Sequence, residues 1–345
     1  MNPYILTLLM SSTATGTIIT MTSYHWILAW VGLELNTLSI TPIIAKMHHP
    51  RATEAATKYF LTQAAASALI LFSSSINAQY AGLWDITQLT DPQAKILLTL
   101  ALSMKLGLVP LHFWLPEVLQ GTSFPVMLII ITWQKLAPIT ILYLTFNQIS
   151  SITLLTMSTL SIILGGLWGL NQTQLRKILA FSSIAHLGWM TAVLTMSPNL
   201  ALFNLTLYIT ITLALLSQLT FSSAKTIQDT GTMWTTSPML MPTTMLTLLS
   251  LGGLPPLTGF LPKWLILKEL ITQNMTPLAT TLALATLTSL FFYLRLAYTT
   301  SMTLNPNTTA VENKWRFKTK SNTMFLTMTS PLALLMTPIT PFIIP

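Results

Sequence analysis

GLVPLHFWLP, Gly107–Pro116, interrupts one apolar run of the chain, and GLPPLTGFLP, Gly253–Pro262, interrupts another far downstream. Aligned without gaps, they agree at Gly107/Gly253, Leu108/Leu254, Pro110/Pro256, Leu111/Leu257, Leu115/Leu261 and Pro116/Pro262. Lys105 precedes the first stretch and Lys263 follows the second. Proline inside a helix removes a backbone hydrogen bond and clashes with the preceding turn. In hydrocarbon that is tolerated only where protein or a water-filled cavity satisfies the freed groups. Discontinuous helices at matching places in two halves mark transporters built from repeats, with ion sites near the bilayer midplane.

The surrounding composition agrees. Of 345 residues, 52% are hydrophobic and 7% charged, with a mean hydropathy of +0.65. A soluble domain has about a quarter of its residues charged, so this chain cannot cover a globular surface and reads as an integral membrane protein. It contains no cysteine, which excludes disulfides, thiolate metal sites, cysteine-held iron–sulfur clusters and cysteine nucleophiles. The net charge of +8 reads as basic loops on one side of a membrane, not as a nucleic-acid surface. The opening MNPYILTLLMSSTATGTIITM has no basic n-region and no Arg-rich amphipathic pattern, so it is expected to be a membrane helix and not a targeting peptide.

Apolar stretches of spanning length lie at 3–22, 25–45, 57–78, 95–115, 124–146, 150–169, 176–196, 200–222, 239–270, 276–297 and 323–343. At ~20 residues per span they predict an all-α polytopic protein of about eleven transmembrane helices. Lys46, Arg51 and Lys58, then Arg176 and Lys177, then Lys225, then Lys314, Arg316, Lys318 and Lys320 fall between spans on one side in that count; Asp85 and Asp91 fall on the other. The positive-inside rule then puts the N-terminus inside and the C-terminus outside. The polar stretch 299–322 is too short to fold alone, so residues 1–345 read as a single integral membrane domain. The two breaks fall in the fourth and ninth helices. That odd step runs the copies in opposite directions, as in two inverted repeats.

A charge at the middle of a membrane helix costs ~2.5–3.5 kcal/mol on insertion scales. Four charges stand out: Glu34 in WILAWVGLELNTLSI, Lys105 in ILLTLALSMKLGLVP, Lys135 in VMLIIITWQKLAPITIL and Lys263 in TGFLPKWLIL. Glu34 and Lys105 fit a static ion pair, but three lysines and one glutamate cannot neutralise one another. A buried amine without a counter-charge gives up its proton readily, so these residues read as a proton relay. His112, inside the first break, and His186, in FSSIAHLGWM, are weaker candidates. Each fits either a proton carrier or a hydrogen-bonded structural imidazole. Glu54 and Lys58 are spaced as a surface pair. Lys268, Glu269 and Arg295 read as snorkelling near helix ends, Asp229 and Glu312 as loop residues, and Glu117 as facing either way. No G-x-G-x-x-G, P-loop or acidic cluster is present, and no cofactor is expected in the chain.

In order, the mid-helix Glu34, KLGLVPLHFWLPE, WQKLAP, RKILAFSSIAHLGW and LGGLPPLTGFLPKW resemble the antiporter-like membrane subunits of respiratory complex I, in their mitochondrial, vertebrate form, over the whole chain. The resemblance implies two inverted five-helix repeats, each with one broken helix (around 107–116 and 253–262), in the shortened animal form that lacks three N-terminal helices. It maps a glutamate–lysine pair onto Glu34 and Lys105, a central relay lysine onto Lys135 and the second-repeat ionisable residue onto Lys263. It implies proton translocation across the mitochondrial inner membrane, driven by electron transfer from NADH to ubiquinone in other subunits. Those subunits would hold the FMN, the iron–sulfur clusters and the ubiquinone. It implies neighbouring membrane-arm subunits, other antiporter-like subunits among them, and membrane lipids as partners. MNP and the Met- and Thr-rich helices resemble a mitochondrially encoded product. In the implied mechanism a charge change at Glu34 alters the field at Lys105, whose proton passes toward Lys135 through water and His112. Lys263 completes the path. A stand-alone cation/proton antiporter and a non-pumping scaffold remain open.

Overall fold

The computed structural model describes residues 2–301 and 323–339. The basic run Lys314–Lys320 and Glu312 lie outside them. Among the described residues the regular secondary structure is helical, beside isolated bridges between His25 and Asp85 and between Gln174 and Thr226. They divide into two compact units, Met1–Ser161 and Ile162–Pro345, with the boundary inside one helix.

The first unit holds α1 (Pro3–Thr22), α2 (Trp26–Ile44), α3 (Pro50–Ala81), α4 (Pro92–Leu106), α5 (Trp114–Gly121), α6 (Phe124–Ile131) and α7 (Trp133–Leu144). α8 (Ser151–Leu170) straddles the boundary. The second unit continues with α9 (Leu175–Leu194), α10 (Pro198–Ser222), the short α11 (Ile227–Gly231) and α12 (Met233–Thr236), α13 (Leu240–Gly252), α14 (Phe260–Thr272), α15 (Thr276–Ser301) and α16 (Met324–Leu335). Among the described residues, eight helical stretches are long and apolar enough to cross a membrane: α1, α2 with its one-turn extension to Met47, α3, Phe124–Leu144, α8, α9, α10 and α15.

Proline and polar caps start these helices. Asn2, His25, His49 and Asp91 accept a backbone N–H in the first turn of α1, α2, α3 and α4, and α1, α3, α4, α6 and α10 carry Pro in the first turn, where no donor is missed. Threonine suits the hydrocarbon because each hydroxyl back-bonds to its own helix: Thr13 to Met10 O (2.7 Å), Thr17 to Ala14 O (2.8 Å), Thr286 to Ala283 O (2.6 Å). Pro42, inside α2, cannot donate to the Leu38 carbonyl, and the Thr41 hydroxyl takes that carbonyl at 2.9 Å.

Two expectations about charge placement change. α3 is 32 residues long, about 48 Å at 1.5 Å per residue, and outruns a ~30 Å hydrocarbon core. Arg51 and Lys58 therefore stand on the helix itself and not in the loop before it. Lys58 pairs there with both Glu54 and, at 2.6 Å, Glu117 of α5. Arg295 does not snorkel: its guanidinium donates to Leu170 O (2.8 Å) and Gln172 O (3.0 Å), closing the C-terminal end of α8.

Candidate functional site

The two sequence breaks are two separations of half-helices, and they are built alike. α4 ends at Gly107, in the left-handed region (φ 77°), where Gly107 N donates to Met104 O (3.2 Å) and Leu108 N to Ser103 O (2.9 Å). α13 ends at Gly253 (φ 81°), where Gly253 N donates to Ser250 O (3.0 Å) and Leu254 N to Leu249 O (3.3 Å). This is the same Schellman closure at matching positions, and glycine carries it because it alone enters that region without a Cβ clash. Each linker contains a cis X–Pro bond, Val109–Pro110 and Pro255–Pro256.

A helix end leaves its last carbonyls without intrahelical donors, and inside a membrane each needs a partner. In the first unit the Lys135 Nζ donates to Leu106 O at 2.5 Å, and the Trp114 indole N–H donates to Met104 O at 3.1 Å. In the second unit the Lys263 Nζ donates to Gly252 O at 2.8 Å and Leu251 O at 3.4 Å. Leu106 and Gly252 are equivalent in the alignment of the breaks. A lysine ammonium thus sits on the same carbonyl of each half-helix, where the dipole favours a cation. The sequence pairs Lys105 with Lys263 as the charge beside each break; the structure pairs Lys135 with Lys263. Lys135 comes from α7, whereas Lys263 comes from the half-helix after its own break.

Lys105 stands differently. It is 4% exposed, and its Nζ has no hydrogen-bond partner. Glu34 acts on it electrostatically, yet they form no ion pair within 4.0 Å: both ion pairs among the described residues belong to Lys58. The Glu34 carboxylate is instead held by the Ser67 hydroxyl and, at 3.0 Å, the Thr37 hydroxyl. Lys105 and Lys135 line one cavity with Asn36, Gln63, Trp114 and Gln134. The Lys135 ammonium also lies 5.5 Å from the Trp114 ring centroid, within cation–π range, and Trp114 packs edge-on against Tyr59 at 5.8 Å.

His112 lies in the first linker, 1% exposed, with Nδ1 3.3 Å from Pro110 O and its ring 4.5 Å from Phe113. It does not line the Lys105–Lys135 cavity. His186 stands on α9, a helix buried along most of its length. Its Nε2 is 3.4 Å from the Tyr293 hydroxyl and its ring 5.2 Å from Tyr208. His186, Tyr208, Asn204, Ser250 and Lys263 line a second cavity. Sequence reading missed the two tyrosines and the amides of the first cavity. Their only signal was polarity within apolar runs, which dozens of self-satisfied Ser and Thr residues share.

Among the described residues no group of three His, Cys, Asp or Glu side chains could hold a metal ion.

A family model described as NADH:quinone oxidoreductase/Mrp antiporter, TM, matches residues 23–290, and one described as NADH dehydrogenase subunit 2 C-terminus matches residues 290–344. The chain is 58% identical over 341 residues to the NADH-ubiquinone oxidoreductase chain 2 of Varanus melinus, covering 99% of each. It is 56% identical over 344 residues to that of Varanus timorensis, covering 100% of each. A chain of the respiratory complex I from Thermus thermophilus with bound aureothin has the same fold at a TM-score of 0.87 and 25% identity, over 99% of this chain and 80% of that one. With a family match that spans both broken helices and full-length relatives more than half identical, this chain belongs to the NADH-ubiquinone oxidoreductase chain 2 family.

Proposed function

We propose that this chain moves protons across the mitochondrial inner membrane through a relay of Glu34, Lys105, Lys135 and Lys263. As a member of its family it is a membrane subunit of respiratory complex I and part of an NADH:ubiquinone reductase. NADH oxidation and ubiquinone reduction then belong to other subunits, with their FMN and iron–sulfur clusters. Nothing in this cysteine-free chain offers thiolates for such clusters. Neighbouring antiporter-like subunits and lipids cover its apolar outer faces.

One observation carries the relay: two lysines, 4% and 1% exposed, line a single polar cavity beside a broken helix. Buried charge of one sign needs a reason, and proton passage supplies it. A change at Glu34 alters the field at Lys105, which exchanges a proton with Lys135. Lys263, beside His186 in the second cavity, continues the path toward one surface or a neighbouring subunit. His112, whose Nδ1 lies near a linker carbonyl, and His186 are the weaker candidates. The membrane potential opposes each charge by ~2.3 kcal/mol per 100 mV, so the relay is gated.

The finer architecture follows. The eight long apolar helices, the two broken pairs α4/α5 and α13/α14, and α16 make eleven spans. The matching closures at Gly107 and Gly253 support two inverted repeats within one membrane domain, 1–345, mitochondrially encoded, with the N-terminus on the matrix side and the C-terminus on the intermembrane side. The test is Lys105→Met in the assembled complex, reconstituted in liposomes. Protons pumped per NADH should fall while uncoupled electron transfer continues; an unchanged ratio would sink the relay. A native gel of gently solubilised inner membranes excludes the stand-alone antiporter if the chain migrates only with the NADH-oxidising band.

A further inference from the structure

We propose that three uncharged amides, Asn36, Gln63 and Gln134, hold a bound water that carries the proton between Lys105 and Lys135. The inference rests on the relay reading and deepens it.

The three side chains reach one cavity from three helices, Asn36 from α2, Gln63 from α3 and Gln134 from α7, and the two lysines line the same space. Asn36 is 2% and Gln63 4% exposed. Both amide atoms of Asn36 lack hydrogen-bond partners, as do Gln63 Nε2, Gln134 Nε2 and Lys105 Nζ. Turning the Asn36 amide over leaves the same deficit, since both ends are unpartnered. Buried polar groups are almost always satisfied, by protein or by ordered water. The residues that carry these groups line this one cavity, although Asn36 Oδ1 also lies against Gly16 of α1, and a small space with two to four polar partners is where a buried water is stable. Gln134 is partly anchored, its Oε1 accepting from the Tyr59 hydroxyl at 3.4 Å.

The chemistry of the amide fits the task. It donates and accepts at once, so it holds a water in either orientation, and it does not titrate. It therefore neither traps the passing proton nor adds a charge. Lys135 already spends one donor on Leu106 O, and Lys105 donates to no protein atom. When Lys105 is the donor, its ammonium loses one N–H proton to the adjacent water and becomes a neutral amine. That water accepts one proton and passes one on, and the free amine of Lys135 takes it and becomes an ammonium. One N–H bond breaks and one forms, one positive charge moves, and the water is conserved. Asn36, Gln63 and Gln134 are positioning residues in this scheme.

The test uses the assembled complex in liposomes, with Gln63→Leu and Gln134→Leu combined, beside Lys105→Met and the parent. The double variant should lower protons per NADH to the value of Lys105→Met, with uncoupled NADH–ubiquinone turnover unchanged. Replacing Gln63→Leu in that pair by the conservative Gln63→Asn should restore part of the ratio. If the amides served packing alone, apolar replacements of similar shape would be neutral or stabilising and the ratio would hold. Parent-level pumping in the double variant with a loss in Lys105→Met overturns the amide-held water and leaves the relay standing. Parent-level pumping in both removes the relay and this inference with it. Should the double variant fail to assemble, a map of the unaltered complex that resolves ordered water decides: water bridging Gln63 or Gln134 to Lys105 supports the proposal, and a dry cavity overturns it.

Discussion

The Lys135 ammonium donates to the Leu106 carbonyl oxygen at 2.5 Å, and so closes the first broken helix from a different segment of the chain. Lys263 closes the equivalent carbonyl of the second break from the adjoining half-helix. The same electrostatic need, a cation at an exposed helix C-terminus in a medium without water, is met from two sequence positions. That leaves Lys105 free of any structural duty at its own break.

This difference separates stability from transport. Lys135→Met strands the Leu106 carbonyl and should destabilise the first break by about 1–3 kcal/mol. Lys105→Met removes a buried ammonium with no hydrogen-bond partner and should be neutral or stabilising. Both should reduce protons per NADH. Thermal unfolding of the purified complex, read beside pumping, checks the split; equal destabilisation by the two variants would contradict it.

Gly107→Ala and Gly253→Ala should each destabilise by about 1–2 kcal/mol, because both positions are left-handed. The two then diverge. A Cβ at Gly253 would lie 2.9 Å from both Cδ and Nζ of Lys263, whereas one at Gly107 meets Leu115 Cδ1 at 3.0 Å. Gly253→Ala is therefore expected to displace the Lys263 ammonium and depress pumping more than Gly107→Ala at similar levels of assembled complex.

At the α1–α2 seam, a Cβ on Gly16 would fall 2.5 Å from Asn36 Oδ1 and 2.8 Å from Gly32 O. The helices approach that closely because both residues are small. Gly16→Ala should cost about 1–3 kcal/mol by overpacking, seen as reduced complex on a native gel. Gly82→Ala is the contrast, since nothing lies within 4 Å of a Cβ there and only its φ of 70° opposes the change.

In the first turn of the short α11, outside the spanning helices, Asp229 completes a capping box with Thr226. Its Oδ2 accepts from Lys225 N (2.9 Å) and Thr226 N (2.8 Å), and the Thr226 hydroxyl accepts from Asp229 N. Burial pushes this carboxyl up, but the amide hydrogen bonds from Thr226 and Lys225 more than offset it and hold it below the usual range. The folded value lies below the unfolded one, so the cap is fully formed above about pH 4 and is lost as pH falls through the folded value. Protection factors of the Lys225 and Thr226 amides should be flat from pH 7 to about 5 and collapse below about 4. Asp229→Ala should remove that pH dependence and about 1 kcal/mol of local stability.

The membrane class, the places of both breaks and the four intramembrane charges were legible in the sequence, because each is a local property. Hydropathy is summed over one segment, Pro110 and Pro256 disrupt their own turns, and Gly107 and Gly253 supply the left-handed residue where they stand. Partners were not legible. Lys105 and Lys263 looked equivalent because both flank a break, and Arg295 looked like a snorkelling end residue until it was found on Leu170 O and Gln172 O. The 124–146 run read as one span, and Phe124–Leu144 is one, but its interruption at Thr132 between α6 and α7 was not legible.

By itself the sequence determined that this is a helical membrane protein broken twice in the same manner, since lipid admits only helices or closed barrels, the long apolar runs lack the alternation of barrel strands, and Pro and Gly act within their own turns. Only the tertiary structure decided which lysine caps which half-helix, that Glu34 rests on Ser67 and Thr37 and not on Lys105, and that Asn36, Gln63 and Gln134 converge on one cavity. Most of those relations join distant residues, Lys135 with Leu106 at 29 positions and Gln134 with Asn36 at 98, and their energies depend on helix packing that no single segment encodes.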